Sequence, residues 1–255
     1  MESLMQNPAL LIGLATVAVF VLAVIISDLA DRRRNKDATM RPVLGQYRNT
    51  ALKLWSVAAV CLVCWLIAGQ PLAGLRWQAA QGWGGWVAWG LAAAAIAYAV
   101  YSIFATHLDR PTRIKLREDF ARTEGLDLIR PATSAEHVGF QGIALTAGIT
   151  EEIVFRGFLV ATLAIAMPLW AAALVSMVVF IGAHAYQGLS GMVRILPITV
   201  IMTVVVLMSG SLWPAIIIHV VTDAMAGFLI AIVDRHEESD KQMSEPTGDD
   251  TALSA

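Results

Sequence analysis

The sequence ALLIGLATVAVFVLAVIIS, residues Ala9 to Ser27, contains no charged side chain. A run of about 20 such residues is the length of an α-helix that crosses the hydrocarbon core of a bilayer. Glu2 precedes this run, and a basic cluster from Arg32 to Lys36 follows it. Because a cleaved signal peptide carries its positive charges before the apolar run, we predict a retained membrane span with its N-terminus outside.

Further apolar runs of similar length follow along the chain, so we predict about seven spans. These runs cover residues 52–69, 84–106, 138–166, 169–187, 191–208 and 211–233. The composition agrees, because 57% of the 255 residues are hydrophobic and only 15% are charged, whereas a soluble domain carries about 25% charged residues. We therefore predict an all-α, polytopic transmembrane helix bundle with its active site inside the bundle.

The chain divides into three parts by composition. Residues 1–137 hold the first three spans and their connecting loops, residues 138–233 hold the last four spans, and residues 234–255 have the composition of an acidic disordered tail. Within the loop 107–137, spaced apolar side chains are compatible with a short interfacial amphipathic helix or with a solvated connector.

Charge and cysteine content exclude several classes of function. The formal net charge is -2, so the basic footprint of a nucleic-acid-binding protein is missing. Cys61 and Cys64 lie inside an apolar run, and we expect neither a disulfide framework nor a cysteine-based metal site. The positive-inside rule assigns the basic loops 28–53 and 107–137 to the cytoplasm. Compact spans without an organelle-targeting signal favour a bacterial plasma membrane.

The last four spans contain ionisable side chains at depths where they are costly. A carboxylate or arginine at the centre of a bilayer costs about 2.5 to 3.5 kcal/mol on insertion scales, so such groups face one another or a wet cavity and mark a functional site. Arg194 is close enough to a span start to extend to the membrane surface. The six that cannot easily do so are Glu151, Glu152, Arg156, His184, His219 and Asp223.

The spacing of these residues predicts which of them meet. Glu152 and Arg156 are four residues apart and should form an ion pair on one helix face, which favours a structural role for Glu152. Glu151 is rotated by about 100° from Glu152 and has no local partner, so we consider it the candidate for chemistry. His219 and Asp223 are also four residues apart and can point into the same cavity.

A third helix is expected to complete the cluster. Phe180 and His184 repeat the four-residue spacing on the fifth span, so Phe180 can shield the site from lipid. Gly182, which lies between them, is expected to allow a close approach of helices.

Charge balance leaves two interpretations of the cluster open. Three carboxylates and one arginine sum to -2 when both histidines are neutral, and a divalent cation such as Zn²⁺ would cancel that charge. Two imidazoles and one carboxylate with an open position form a ligand set of catalytic zinc, here His184, His219 and Glu151. Alternatively, a protonated carboxyl or a charged histidine balances the site without metal; Glu151 with His184 then activates water, and His219 with Asp223 stabilises the oxyanion.

Two non-catalytic interpretations also remain open. The polar side chains could form a network that only holds the helices together. A chain of Glu and His residues could also form a path for cations or protons. A compact cluster favours a reaction site over such a path, because a path needs its ionisable residues staggered across the membrane.

Three motifs carry a resemblance to a known family. In chain order they are Glu151-Glu152-x-x-x-Arg156-Gly157, Phe180-x-x-x-His184 and His219-x-x-x-Asp223. Through them the chain resembles the CPBP family of intramembrane proteases, also called the CAAX protease and bacteriocin-processing, or Abi, family. The resemblance covers residues 138–233 and implies that this part is a catalytic core. The implied activity is that of a CAAX-protease-like metalloendopeptidase, or a metal-independent glutamate protease, acting on a peptide or membrane-protein substrate.

The resemblance also implies roles for individual residues. The residue that matches Glu151 handles the water, and those that match His184 and His219 complete the site. The third motif of the family often ends in Asn, where this chain has Asp223; the added charge favours the metal-dependent version. Some members look like immunity or scaffold proteins, so a non-catalytic membrane scaffold or bacteriocin-immunity protein is the alternative function.

Overall fold

The computed structural model describes residues 2–34, 43–123, 126–237 and 240. Within these residues the regular structure is entirely helical and includes no strand. The predicted all-α helix bundle is therefore confirmed.

The helices follow one another through short connections. The N-terminal part contains α1 (Glu2–Met5), α2 (Pro8–Arg34), α3 (Val43–Ile67), α4 (Gly82–Leu108), α5 (Arg110–Ala121) and α6 (Leu126–Ile129). The C-terminal part contains α7 (Ser134–Glu151), α8 (Val160–Leu163), α9 (Leu169–Ala183), α10 (Gly188–Ser209) and α11 (Trp213–Arg235). A π-helical segment, Glu152–Leu159, joins α7 to α8 in one long helix.

Five helices of the described chain are long and apolar enough to cross a bilayer by length and composition: α2, α3, α4, α10 and α11. Two of the seven predicted spans differ from this type. The fourth is divided by the π-helical segment and carries three charged residues near its centre. The fifth, α9, has 15 residues because it ends at Ala183 rather than at the predicted 187. The chain is an integral membrane protein in which the helix that carries Glu151, Glu152 and Arg156 is more polar than these five, and the one that precedes His184 is shorter.

Helix α7, which carries Glu151 at its end, begins at a capping box. The side-chain oxygen of Thr133 accepts a hydrogen bond from the backbone N–H of Glu136 at 3.2 Å, and the Glu136 carboxylate accepts one from the backbone N–H of Thr133 at 3.0 Å. These reciprocal bonds satisfy backbone groups that have no partner inside the first turn. The start of the glutamate helix is thereby fixed by its own sequence.

Glycines allow α7 and α11 to approach closely. A Cβ atom at Gly148 would lie 2.4 Å from Cγ2 of Val220, and one at Gly227 would lie 2.6 Å from Cδ1 of Phe140. The prediction that Gly182 serves this purpose is wrong, because no atom of the described chain lies within 4 Å of a Cβ built there. The contact that matters for the site is between α7 and α11, which carry Glu151 and His219.

The α7–α11 contact predicts opposite effects for two glycine substitutions on the same helix. Gly148→Ala is expected to destabilise the protein by about 1 to 3 kcal/mol, because the added methyl group overpacks the contact with Val220. Gly142→Ala has open space within 4 Å in the described chain, and it is expected to stabilise the helix by up to about 1 kcal/mol. Thermal unfolding in detergent micelles, followed by circular dichroism, measures both. A melting temperature of Gly148→Ala at or above that of Gly142→Ala would show that the helices are not in tight contact.

The loop 107–137 contains a helix, as one of its two interpretations expected, but the buried side chain of that helix is an arginine rather than an apolar residue. This helix, α5, begins at the cap residue Asp109, whose carboxylate accepts a hydrogen bond from the backbone N–H of Thr112 at 3.0 Å. Along α5, Arg113 is buried, while Lys115 is exposed. The helix therefore packs one face against the bundle and leaves the other in contact with solvent.

The prediction of a disordered tail from residue 234 onward is wrong at two positions. Asp234 still belongs to α11 and pairs with Arg130. The side chain of Asp240 is only 1% exposed and forms an ion pair with Arg113 at 2.8 Å. The composition is that of a solvated tail, but these carboxylates find arginine partners in the loop 107–137. Residues 238–239 and 241–255 of the predicted tail lie outside the described residues.

Candidate active site

The structure brings the six predicted side chains together from three regions of the C-terminal part. Two of these regions are the α7–π segment and α11, and the third is the position directly after α9. The residues are Glu151 at the end of α7, Glu152 and Arg156 in the π-helical segment, His184 after α9, and His219 and Asp223 on α11. The predicted cluster is thus present as a geometric arrangement.

The π-helical segment lies at the centre of this arrangement, and all eight of its residues are buried. A π-helix shifts backbone hydrogen bonds by one residue, and such segments occur frequently at functional sites. Ser176 on α9 donates its hydroxyl hydrogen to the carbonyl oxygen of Phe155 at 2.7 Å. This bond supplies a side-chain partner for a carbonyl of the irregular segment and ties it to α9.

Glu152 forms the buried centre of a charged network. Nη1 of Arg156 donates to Oε1 of Glu152 at 2.8 Å, as the spacing predicted, and Nδ1 of His219 lies 2.9 Å from the same oxygen. The guanidinium carbon of Arg156 lies 4.1 Å from the ring centroid of Phe180, a cation–π contact. Phe180 thus covers the ion pair as well as the site.

The hydrogen bonds at Nδ1 define the tautomers of both histidines. Nδ1 of His184 lies 2.9 Å from the carbonyl oxygen of Phe180, and since a carbonyl only accepts, this nitrogen carries the hydrogen. Nδ1 of His219 donates in the same way to the carboxylate of Glu152. In their neutral forms both rings therefore present an unprotonated Nε2 atom. Histidines in metal sites are oriented in the same way, by donating their other ring N–H to a carboxylate or a backbone carbonyl.

Glu151 faces both Nε2 atoms. Its Oε2 atom lies 4.0 Å from Nε2 of His184 and 3.9 Å from Nε2 of His219. This oxygen is buried and has no hydrogen-bond partner among the described residues. Polar atoms separated by more than 3.5 Å are commonly bridged by water. The carboxylate of Glu151 therefore faces the two imidazoles without a direct hydrogen bond to either of them.

Asp223 forms the more exposed side of the cluster. Its side chain is 39% exposed, compared with 13% for Glu151, and its Oδ2 atom lies 3.6 Å from Nε2 of His219. Both carboxylates thus approach the same imidazole nitrogen, one from the buried side and one from the accessible side.

The side chains of His184, His219 and Glu151 are of the types that bind zinc, but their donor atoms lie farther apart than in a zinc site. Zinc binds nitrogen and oxygen at about 2.0 to 2.2 Å, so tetrahedral ligand atoms lie about 3.4 Å apart. The measured separations of 3.9 and 4.0 Å exceed this value, and no three His, Cys, Asp or Glu side chains in the described ranges are arranged as a metal site. Binding of a metal by His184, His219 and Glu151 would require these side chains to close by about half an ångström.

Two further residues near the site are not identified from the sequence. Ser176 holds the π-helical segment, as described above. Tyr186 lies in the short turn after α9, with its ring centroid 5.9 Å from that of His184, and its hydroxyl oxygen accepts a hydrogen bond from Nε2 of Gln187 at 3.1 Å. The only sequence signal for Tyr186 is its position two residues after His184.

Comparison with known proteins identifies the segment that holds the cluster. Residues 134–225 match the family model described as Type II CAAX prenyl endopeptidase Rce1-like. Neither the curated proteins nor the solved structures include a significant match. The matched segment begins at the first residue of α7, extends two residues beyond Asp223, and contains all six clustered side chains. The family is one of peptidases, and the resemblance to the CPBP, or CAAX protease, family is confirmed for residues 134–225 of this membrane protein.

Proposed function

We propose that this protein is an intramembrane endopeptidase that hydrolyses a peptide bond with a water molecule activated by Glu151. One observation carries the proposal: the buried Oε2 atom of Glu151, unpartnered in the described chain, faces the Nε2 atoms of His184 and His219. A general base needs a free lone pair within reach of the attacking water. The peptidase family of the matched segment supports the assignment.

The reaction needs one proton transfer to Glu151 and one from it. Glu151 removes a proton from the water as the oxygen attacks the carbonyl carbon of the substrate, and the carbonyl oxygen becomes an oxyanion. Glu151 then gives this proton to the leaving nitrogen as the C–N bond breaks. In the metal-independent version, His184 helps to position the water. His219 carries a proton on Nε2 and, together with a protonated Asp223, donates a hydrogen bond to the oxyanion.

In the metal-dependent version, His184, His219 and Glu151 hold the ion. Zinc bound there would act as a Lewis acid and lower the pKa of the attacking water. The protein contributes the orientation of both imidazoles, through the carbonyl oxygen of Phe180 and the carboxylate of Glu152. Asp223, on the exposed side, adds negative charge that favours a cation.

Metal content separates the two versions. The metal-dependent version predicts about one zinc per chain in detergent-purified protein, as for a catalytic site with three protein ligands, and its loss in His184→Ala/His219→Ala. The matched control is His107→Ala/His236→Ala, which removes two histidines whose rings meet away from the site. Mass spectrometry of folded protein that has never been exposed to a chelator gives the stoichiometry. If the wild-type protein contains no stoichiometric metal, the metal-dependent version is refuted, and a metal-independent peptidase or a non-catalytic scaffold is left.

The proposed substrate is a peptide with a prenylated CAAX-type end, presented from the bilayer. The support is the family-model description, which names a prenyl endopeptidase, and the location of the site inside a membrane bundle. The membrane that we propose for this protein is a bacterial plasma membrane. The test compares a farnesylated peptide with the same peptide lacking the lipid, both added to protein in liposomes, with products identified by mass spectrometry. Faster release of the terminal fragment from the farnesylated peptide supports this substrate. Equal rates would refute prenyl recognition and leave peptidase activity standing.

A further inference from the structure

A second polar cluster lies on α5, away from the candidate active site. Arg113 donates from Nε and Nη2 to the two carboxylate oxygens of Asp240 at 2.9 and 2.8 Å. Its Nη1 atom donates to two backbone carbonyl oxygens at the end of α4, at 3.3 and 2.9 Å. The Arg113 side chain is only 7% exposed. This arginine is therefore held rigidly, with its planar edge directed at an anion.

Two more arginines on the same face of α5 approach the same carboxylate without bonding to it fully. Nε of Arg110 lies 3.8 Å from Oδ1 of Asp240, and Nη2 of Arg117 lies 3.7 Å from Oδ2. The Nε atoms of both arginines are buried and lack a hydrogen-bond partner in the described part of the chain. A buried donor without an acceptor is costly, and the cost is greater for a charged group. Among the described contacts, the Asp240 carboxylate accepts hydrogen bonds from Arg113, and its backbone carbonyl oxygen accepts one from Nη2 of Arg110 at 2.8 Å, so the Nε donors of Arg110 and Arg117 are left over.

The chemistry of the missing acceptor follows from this geometry. Arg113 takes one position on each carboxylate oxygen of Asp240, while Nε of Arg110 and Nε of Arg117 remain without an acceptor in the described part of the chain. A phosphate group is tetrahedral and presents further oxygens, so it can accept from Arg113 and from the unsatisfied donors of Arg110 and Arg117 together. Guanidinium groups bind phosphate in this forked manner more readily than ammonium groups do.

We propose that Arg110, Arg113 and Arg117 form a binding site for the phosphate of an anionic phospholipid headgroup, and that Asp240 is an internal competitor for this site. The location supports a lipid source of the phosphate. α5 begins two residues after the end of α4, a membrane-spanning helix, and lipid phosphates lie at the ends of such helices. Basic pockets beside membrane spans bind anionic headgroups in the same way.

The test measures binding of a soluble short-chain lipid to the full-length protein in detergent. Dihexanoyl phosphatidylglycerol is the probe, dihexanoyl phosphatidylcholine is the zwitterionic comparison, and inorganic phosphate is the source without a lipid. Arg110→Gln/Arg117→Gln removes the unsatisfied donors and keeps the Arg113–Asp240 pair. The matched control, Lys115→Gln/Arg122→Gln, removes the same charge from exposed positions of α5 and its cap. Asp240→Asn removes the competitor.

The expected pattern has three parts. Phosphatidylglycerol binds the wild-type protein more tightly than phosphatidylcholine or inorganic phosphate does. Arg110→Gln/Arg117→Gln weakens this binding by about tenfold or more, since it removes charge-assisted hydrogen bonds to the phosphate. The control removes the same charge without removing such bonds and changes the binding by less than about threefold. Asp240→Asn strengthens the binding.

Two results would overturn the proposal. Equal loss of affinity in the arginine variant and in the control would show that only general charge attracts the lipid. Binding of inorganic phosphate as tight as that of phosphatidylglycerol, with the same dependence on Arg110 and Arg117, would assign the site to a free anion. The arginine variant keeps the buried pair, so it remains informative even when Asp240→Asn does not fold.

Discussion

Glu151→Gln is expected to reduce the rate of peptide-bond hydrolysis by about 10³-fold, within the range found for general bases. The amide has nearly the shape of the carboxylate but cannot take a proton from water. Glu151 lies at the junction of α7 and the π-helical segment, with Oε2 near both Nε2 atoms of the histidines. The substitution therefore removes the base while leaving the packing of the bundle in place. Initial rates in liposomes, from quantified product fragments, measure the effect.

The control for this variant is Glu118→Gln. Glu118 lies on α5 with its side chain 59% exposed and pairs only with Arg122 among the described contacts, so its replacement removes one carboxylate far from the cluster. We expect a rate within about twofold of the wild type, because substitutions of exposed residues away from the core and the buried polar network have small effects. A Glu151→Gln protein that is folded and retains more than about a tenth of the wild-type rate would contradict the assignment of Glu151 as the base.

Arg156→Met is expected to destabilise the protein by about 3 to 5 kcal/mol, the cost of leaving one partner of a buried ion pair alone. Glu152 is fully buried and depends on Arg156 for charge compensation at 2.8 Å. The loss also affects the site, because the same Oε1 atom of Glu152 holds Nδ1 of His219. We therefore expect a lower rate of hydrolysis in whatever fraction of the variant folds.

A second substitution distinguishes charge from packing. Glu152→Gln/Arg156→Met removes both charges and is expected to regain part of the lost stability, since a neutral amide is less costly to bury than an unpaired carboxylate. Unfolding in mixed detergent micelles gives the free energies of the wild type, both single variants and the double variant. If the loss of unfolding free energy in the double variant equals the sum of the losses in the two single variants, the two residues are not coupled. The ion pair then contributes nothing to stability.

Regular features of the bundle were predictable from local sequence. Uncharged runs long enough to cross a bilayer predicted the spanning helices, and the four-residue spacing predicted the contact between Glu152 and Arg156. The π-helical segment was not predictable, because its backbone pattern depends in part on an acceptor–donor contact with Ser176 on another helix. The early end of α9 was not predicted, because residues 184–187 contain no Asp, Glu, Lys or Arg and so extend the uncharged run past Ala183.

The membership of the cluster and its contact between Glu152 and Arg156 were predicted, but its contacts between helices were not. Spacing indicated that Glu151 lacks a local partner, and the structure places it beside two histidines from other helices. The bond between Glu152 and His219 joins residues 67 positions apart, and sequence spacing within one helix cannot reveal such a contact. The burial of Asp240 against α5 could not be predicted either, because the composition of a segment gives no information on its contacts with the rest of the chain.

The most direct test of the account is cleavage of a farnesylated CAAX-type peptide by purified protein in liposomes, with wild type and Glu151→Gln side by side. Mass spectrometry of both fragments identifies the bond that is broken. We expect a new carboxyl end and a released terminal fragment with the wild-type protein, and almost no product with Glu151→Gln. Cleavage at the same rate by both proteins, or no cleavage by folded wild-type protein, would contradict it.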